Sequence, residues 1–155
     1  MTMSYSIRRM EKQDIKPMID LGETMWAEGA YAYLPYSKSK CEKLGEFIIN
    51  NPNTAAGWVA VKQDRIIGMI IVSINKMYFC DEKICNDLLL YVDPKERKSV
   101  FVPIKLINKA TQWAKEQGAV EFCPASSVAI ASDRVAKLYK FLKFDNVGNL
   151  FKKRL

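Results

Sequence analysis

A short apolar strand, a basic turn and the start of a helix follow one another in the second half of the chain. Leu88–Val92 is apolar throughout, and a helical pattern begins near Val100. Three cationic side chains lie between them: Lys95, Arg97 and Lys98. A helix N-terminus carries about half a unit of positive charge and up to four unpaired backbone N–H groups. The arrangement therefore favours a phosphate held on backbone N–H groups, although α/β proteins that bind no phosphate also use this layout.

The residue types exclude several other kinds of chemistry. The chain has no histidine, which rules out Ser-His-Asp and Cys-His nucleophilic mechanisms. Its four cysteines are Cys41, Cys80, Cys85 and Cys123. Cys80 and Cys85 resemble half of a zinc site, but the chain supplies no second pair and no histidine to complete it. We therefore predict no metal and interpret the thiols as core or strand-end residues.

Length, composition and charge limit the possible domain number, compartment and partners. The chain has 155 residues and is 49% hydrophobic, which predicts one compact domain over residues 1–155. No apolar run approaches the roughly 20 residues needed to cross a bilayer. We therefore expect a soluble cytoplasmic protein with no membrane partner. The net charge of +7 suits nucleic acid, an anionic cofactor or solubility alone, and it does not choose among them.

The elements that must position these residues follow from hydrophobic periodicity and capping signals. We expect Asp14 to cap the first helix, and Ser132 or Asp133 to cap the last one. The predicted elements are a strand at 5–9, helices at 14–27 and 38–50, strands at 57–61, 66–77 and 84–92, a helix at about 100–117, a strand at 119–123, a helix from 132 or 133 to 142, and a strand at 147–152.

The order of these elements is β-α-α-β-β-β-α-β-α-β. The three consecutive strands between 57 and 92 predict an antiparallel meander. The strand at 119–123 is expected to run parallel to the strand at 84–92, because a helix crosses between them. The predicted fold class is thus α/β, with a mixed α+β sheet and one central parallel crossover.

The sequence from Val92 onward resembles the acetyl-CoA loop of the GNAT family of N-acetyltransferases, V-x-P-x-x-R/Q-x-x-G-x-G/A. Val92, Pro94 and Arg97 match its first three fixed positions, whereas Val100 and Val102 stand where the family has glycine. A β-branched residue fits badly where the backbone has positive φ or must approach a phosphate closely. We therefore expect either a helix that starts about one residue late or a looser phosphate pocket.

Pro103 adds to this departure, since proline lacks an N–H group and pushes the preceding Val102 out of the helical region. The segment Asp133–Phe144 resembles the family's late helix motif, A-x-x-L-Y-x-x-L-G-F, most closely from residue 138 onward. The likeness covers nearly the whole chain and implies a GNAT-like fold. Leu88–Leu90 and Met25–Glu28 look most like small acetyltransferase-like proteins of bacteriophages, which would place the protein in the cytoplasm of the host cell.

The resemblance implies acetyl-CoA as the co-substrate. Backbone N–H groups of the loop would cradle its pyrophosphate, and they belong to Arg97, Lys98, Ser99, Val100, Phe101 and Val102. Leu90 and Val92 would offer main-chain partners to the pantetheine arm and the thioester.

The resemblance also implies catalytic roles. Tyr139 matches the tyrosine that protonates the departing thiolate, and an ordinary phenol, with a pKa near 10, stays protonated at pH 7. Alternatively, Tyr139 only packs the last helix on the sheet. Asp87 and Glu28 are the candidates for the carboxylate that deprotonates the amine, and each is alternatively a surface carboxylate. Asn86 and Asp87 point to opposite faces of their strand, and a bulge would exchange them.

The leading hypothesis is therefore an N-acetyltransferase that modifies a primary amine of a small molecule or peptide. An aromatic segment would line the acceptor pocket or form a partner surface, and it comprises Trp26, Tyr31, Tyr33 and Tyr36. The alternative is a binding module that kept the fold and lost the cofactor, and that holds a protein or nucleic-acid partner. A homodimer is open under both hypotheses.

Overall fold

A computed structural model describes residues 4–155 and contains one five-stranded sheet in that range. The strands lie side by side in chain order, and all neighbours are antiparallel except β4 and β5, which are parallel. Their bounds are β1 Ser6–Arg9, β2 Ala55–Lys62, β3 Arg65–Lys76, β4 Lys83–Val92 and β5 Ala119–Cys123.

Helices cover both faces of this sheet. Their bounds are α1 Ile15–Glu28, α2 Lys38–Asn50, α3 Phe101–Glu116 and α4 Ser132–Phe141. Along β3, Ile70 and Val72 point toward α3, while Met69 and Ile71 point toward α1 and α2. The apolar run of β3 is explained by this double burial, because a strand covered on both faces needs apolar residues at successive positions.

Periodicity predicted most of these elements correctly. The bounds of α2 and β5 are as predicted, and the other elements that form lie within two residues of their predicted bounds. Asp14 occupies the predicted N-cap position of α1, although its carboxylate accepts a hydrogen bond from the Glu11 N–H group (2.7 Å) and makes no capping hydrogen bond to α1. The predicted cap of α4 is wrong. Ala131, in the left-handed conformation with φ of 47°, precedes α4, so Ser132 and Asp133 already belong to its first turn.

The predicted strand at 147–152 is not formed. Val147 and Phe151 are almost fully exposed, and the Lys152 ammonium donates a hydrogen bond to the Ala30 carbonyl (2.9 Å). Lys152 also lies over the Tyr31 ring, 4.2 Å from its centroid. The tail is thus drawn toward the loop after α1 and not into the sheet. β5 is consequently an edge strand, and the parallel crossover lies at the edge of the sheet, which corrects its predicted central position.

Residues 4–155 contain neither a membrane-spanning helix nor a cluster of metal ligands. No helix there combines the length and the hydropathy needed to cross a bilayer. No group of three or more histidine, cysteine or acidic side chains converges there as metal ligands would. Cys80 is exposed and Cys85 is buried.

Candidate active site

A bulge interrupts β4 at Leu88. Ile71 of β3 pairs with Leu89, but the next residue of β3, Val72, pairs with Asp87, so Leu88 has no partner on β3. Since side chains alternate along a strand, an extra residue moves everything beyond it to the opposite face. The bulge that the sequence left open is therefore present, and it reverses the faces of Asn86 and Asp87 relative to the residues after Leu88.

The bulge puts Asp87 on the α3 side of the sheet. Cys85 and Leu90 both pack in the core beneath α3, and Asp87 shares the face of Cys85 because it lies two residues further along the strand. Its carboxylate accepts a hydrogen bond from the Ala125 N–H group (2.9 Å). Burial nevertheless raises the pKa of Asp87 to about 6. A carboxylate with this pKa is suited to accept a proton near neutral pH.

β4 and β5 separate just before the bulge. Their pairing ends where Asn86 faces Cys123, while β4 continues to Val92. In the described part of the chain, no strand pairs with this edge of β4 beyond Asn86. The backbone groups of the exposed edge are therefore accessible to a ligand, with one exception. The Val92 carbonyl already accepts a hydrogen bond from Arg97 Nε (3.0 Å).

A cleft of about 150 Å³ opens between this edge, the loop before α3, and α4. It brings together six of the residues that the sequence singled out: Leu90, Val92, Arg97, Ser99, Val100 and Tyr139. It does not include the side chains of Lys98, Phe101 and Val102. Asp87 and Glu28 lie outside its lining as well.

Tyr139 is held at the inner wall of the cleft by α4. Its ring packs edge-on against Phe144, with the ring centroids 5.4 Å apart. Burial raises the pKa of Tyr139 above its ordinary value, and the nearby negative charge of Asp87 raises it further. The phenol is therefore protonated at neutral pH and available as a hydrogen-bond donor.

The valines of the loop are accommodated without backbone strain. Val100 has φ of −76° and precedes the first residue of α3, Phe101, so the late helix start is confirmed. Val102 is helical despite the following Pro103, and the expectation that Pro103 would push it out of the helix is wrong. Proline is tolerated there because the first N–H groups of a helix have no intrahelical acceptor.

The two valines face different environments. Val102 is buried and packs above Gly68, where an added Cβ atom would come within 3.1 Å of Val102 Cγ1. Its branched side chain therefore points into the core. Val100 is 52% exposed and lines the cleft. Of the two departures from glycine, only the one at Val100 lies where a phosphate would approach.

Glu28 forms an ion pair with Arg97, which lines the cleft. The guanidinium contacts both carboxylate oxygens, with 3.0 Å between Arg97 Nη2 and Glu28 Oε2 and a closer contact between Nη1 and Oε1. The Tyr91 hydroxyl donates a further hydrogen bond to Glu28 Oε2 (2.7 Å). Arg97 holds the pKa of Glu28 below its ordinary value, although partial burial opposes this shift. The geometry thus favours Asp87 over Glu28 as a proton acceptor.

Arg134 is a site residue that the sequence reasoning missed. Its Nη2 donates a hydrogen bond to the Arg97 carbonyl (3.0 Å), and it lines the cleft on α4. It precedes Leu138 by four residues, so these two residues lie on the same side of α4. That helical spacing is the signal that could have identified it.

The acidic residues of the loop are paired with cations from the sheet. Arg65 contacts Asp93 (2.7 Å) and Glu96 (3.1 Å), and Lys62 contacts Glu96 (2.9 Å). Their negative charge is thereby compensated, and the exposed Lys98 adds positive charge two residues before the N-cap of α3. The loop is therefore an electropositive end of the cleft.

A second cavity, of about 270 Å³, lies on the opposite side of β4, between the sheet, α1 and α2. Three residues of the aromatic segment line it: Trp26, Tyr31 and Tyr36. The fourth, Tyr33, is exposed and lies under the Arg154 guanidinium, whose central carbon is 3.5 Å from the ring centroid.

Solved structures of N-acetyltransferases are similar to this chain along almost their whole length. The aminoglycoside N-acetyltransferase AAC(6')-Iy, solved with a CoA-containing bisubstrate analogue, gives a TM-score of 0.77 at 20% identity and covers 98% of each chain. Glucosamine-6-phosphate N-acetyltransferase from Arabidopsis thaliana gives 0.76 at 17% identity, over 97% of this chain and 98% of the other. Ribosomal-protein-alanine N-acetyltransferase from Brucella melitensis biovar Abortus 2308 gives 0.73 at 14% identity, over 98% and 99%.

No model of a known protein family matches the sequence, and no curated protein matches it either. At the identities of the solved structures, the likeness establishes the fold. The chain has the GNAT fold, which confirms the fold that its motifs predicted.

Proposed function

We propose that this chain is a single-domain N-acetyltransferase that transfers the acetyl group of acetyl-CoA to a primary amine. The observation that carries the proposal is the bulge in β4, which brings Asp87 to the face of the sheet that holds Tyr139. A proton acceptor and a proton donor thereby stand beside a cleft with an open strand edge and a basic end. The fold shared with AAC(6')-Iy, an acetyltransferase solved with CoA, supports the same activity.

The residues present fit acetyl-CoA. The pyrophosphate would bind at the start of α3, where Val100 is the N-cap and Lys98 and Arg134 supply positive charge. The exposed edge of β4 at Leu90 would pair with the amide groups of the pantetheine arm. Because the Val92 carbonyl is occupied by Arg97, we assign this main-chain role to Leu90 in preference to Val92.

Acetyl-CoA supplies a thioester, and the protein moves two protons. As the amine nitrogen forms its bond to the acetyl carbon and loses a proton, Asp87 accepts that proton directly or through water. As the carbon–sulfur bond breaks, Tyr139 donates its proton to the departing sulfur. The proton taken up by Asp87 passes to solvent and the Tyr139 phenolate regains one from solvent, which restores both groups.

Calorimetry with acetyl-CoA, followed by an assay of free thiol released in the presence of amines, tests this function. We expect saturable binding and amine-dependent thiol release, with release reduced in Tyr139→Phe. Absence of binding at millimolar acetyl-CoA, a limit that corresponds to about 4 kcal/mol, would contradict the proposal.

The second candidate function is a binding module without cofactor. The ion pair between Arg97 and Glu28 favours it, because Arg97 is then less available to a phosphate. A nucleic-acid partner would bind with an affinity that falls steeply as salt rises. This candidate would be contradicted if the protein bound acetyl-CoA and its affinity for nucleic acid did not change with salt concentration.

A further inference from the structure

The second cavity has walls that are almost entirely apolar. Residues from α1, β3 and β4 surround it, among them Met18, Met25, Met69 and Leu89. No charged side chain lines it among the residues that the structure describes. An engineered apolar cavity of about 150 Å³ is enough to bind benzene. At about 270 Å³, this cavity has room for a two-ring aromatic group or for an alkyl chain of similar size.

Two of the polar atoms on its walls already have hydrogen-bond partners. The Tyr36 hydroxyl donates a hydrogen bond to the Ile19 carbonyl (2.9 Å), and Trp26 Nε1 donates one to the Leu34 carbonyl (2.8 Å). A ligand in the cavity would therefore gain mainly apolar contacts. The tilted pair of Trp26 and Tyr36, with ring centroids 5.7 Å apart and planes inclined by 38°, provides an aromatic wall at one end.

The carboxylates of α1, one of the two helices that border the cavity, all lie in ion pairs. Lys38 pairs with Glu23 (2.7 Å) and with Asp20 (3.3 Å), and Arg97 pairs with Glu28. A polycationic acceptor would need several carboxylates to replace the water around its ammonium groups. This helix offers no unpaired one.

The second cavity adjoins the cleft at the bulge of β4. Leu89, directly after the bulge, lines the cavity, and the following Leu90 lines the cleft. Val128 lines both spaces, and its carbonyl accepts a hydrogen bond from the Ala30 N–H group (2.8 Å). A molecule whose body fills the cavity would thus extend its end past Val128 toward the cleft.

We propose that the acceptor is a primary amine attached to an apolar body, either aromatic or aliphatic, and that the second cavity takes that body. The proposal rests on the proposed acetyltransferase function. The apolar walls select the body, and the bulge sets the direction of the amine. The cavity lining, as far as the structure describes it, offers no carboxylate to a polycation such as a polyamine or an aminoglycoside.

Rates of thiol release at saturating acetyl-CoA test the proposal with four amines: tryptamine, 1-octylamine, spermidine and kanamycin. We expect kcat/KM for tryptamine or 1-octylamine to exceed that for spermidine and kanamycin by roughly tenfold or more. Equal use of all four amines, or preference for a polycation, would overturn the acceptor class while leaving the acetyltransferase function in place. If acetyl-CoA does not bind, the proposed function fails, and calorimetry with tryptamine and spermidine alone decides whether the cavity takes apolar amines.

Filling the cavity provides a second test. Met25 lines it, so Met25→Trp should raise KM for the preferred apolar amine by about tenfold and leave acetyl-CoA affinity unchanged. Phe47→Trp is the matched control, because Phe47 is on α2, 52% exposed, and outside the cavity lining. If Met25→Trp does not fold, Met25→Ala enlarges the cavity and should shift the preference toward longer alkylamines. An unchanged KM and an unchanged preference in the folded Met25 variants would contradict the proposal.

Discussion

Glu28 and Arg97, 69 residues apart in the sequence, form a two-point ion pair that joins the end of α1 to the loop before α3. Only 31% and 23% of their side chains are exposed, so solvent screens the pair less than it screens a surface pair. α1 borders the second cavity and the loop borders the cleft. The pair therefore links the two spaces in which the proposed acceptor and acetyl-CoA would bind.

The first prediction concerns this pair. Glu28→Gln removes the negative charge that competes with a phosphate for Arg97, so we expect acetyl-CoA to bind more tightly, measured by calorimetry. The free energy of unfolding should fall by about 1 to 2 kcal/mol, because the charged hydrogen bonds weaken. Glu23→Gln, which breaks a pair with Lys38 on the same helix, is the control and should leave acetyl-CoA affinity unchanged. Equal or weaker binding in Glu28→Gln would show that the pair holds Arg97 in its productive position.

The second prediction concerns Asp87 and pH. Its pKa of about 6 in the folded state exceeds the ordinary 3.8, so the folded protein holds this proton while the unfolded chain releases it. The free energy of unfolding therefore falls as pH rises from about 4 to about 6. Above pH 6 the full destabilisation by the buried Asp87 carboxylate is present. Asp87→Asn should raise the free energy of unfolding at pH 8 by an amount on the order of 2 kcal/mol, and should not raise it near pH 4.

The same variant should lose activity. If Asp87 accepts the proton of the amine, kcat of the natural protein rises with pH through about 6, and Asp87→Asn should lower kcat by roughly a hundredfold and abolish that rise. Asp81→Asn is the control, because Asp81 is fully exposed in the turn between β3 and β4. A pH profile that persists unchanged in Asp87→Asn would assign the proton to another acceptor.

The third prediction concerns Tyr139. Tyr139→Phe keeps the ring that packs on Phe144 and removes the proton that the leaving sulfur needs. We expect kcat to fall by roughly a hundredfold with little change in acetyl-CoA affinity, since the lost interaction forms only as the thiolate departs. Tyr78→Phe, at an almost fully exposed tyrosine, should change neither quantity. Equal turnover in Tyr139→Phe would mean that solvent protonates the thiolate and that Tyr139 is structural.

The features that the sequence predicted correctly are those specified by residues close together in the chain. Apolar spacing defined α2 and β5 to the residue, and the basic turn before α3 marked the cleft, because helices, strands and turns are specified by residues close together in the chain. It failed at residues 147–152, where alternation suggested a strand but Lys152 is held by Ala30 instead. Pairing of a strand depends on a distant partner, which periodicity does not reveal.

The candidate site shows the same limit. The sequence predicted that Tyr139 lies on a helix. It also showed that a bulge would decide which face of the sheet carries Asp87. The pairing of Glu28 with Arg97 and the inward direction of Val102 were not accessible from the sequence, because both follow from elements that the fold brings together over long sequence distances. Only the packed structure separates a loop valine that faces a ligand from one that fills the core.

The last prediction uses that difference between Val100 and Val102. In the sequence, both valines stand where the GNAT loop has glycine. The structure separates the two positions, because Val102 packs on Gly68 in the core and Val100 lines the cleft. Val102→Gly should therefore lower the free energy of unfolding by about 3 kcal/mol through lost packing and added helix entropy, with no gain in affinity.

Val100→Gly should cost at most about 1 kcal/mol of stability, because Val100 is half exposed and lies at the N-cap, where glycine is tolerated. Removing its side chain opens the approach to the first N–H groups of α3, so we expect tighter binding of acetyl-CoA. Calorimetry at low and high salt identifies the origin of the gain, since capture by backbone groups in the cleft is screened less than attraction by exposed lysines. A gain present only at low salt, or weaker binding at every salt concentration, would show that Val100 does not restrict the phosphate and that the charge of the loop alone governs its capture.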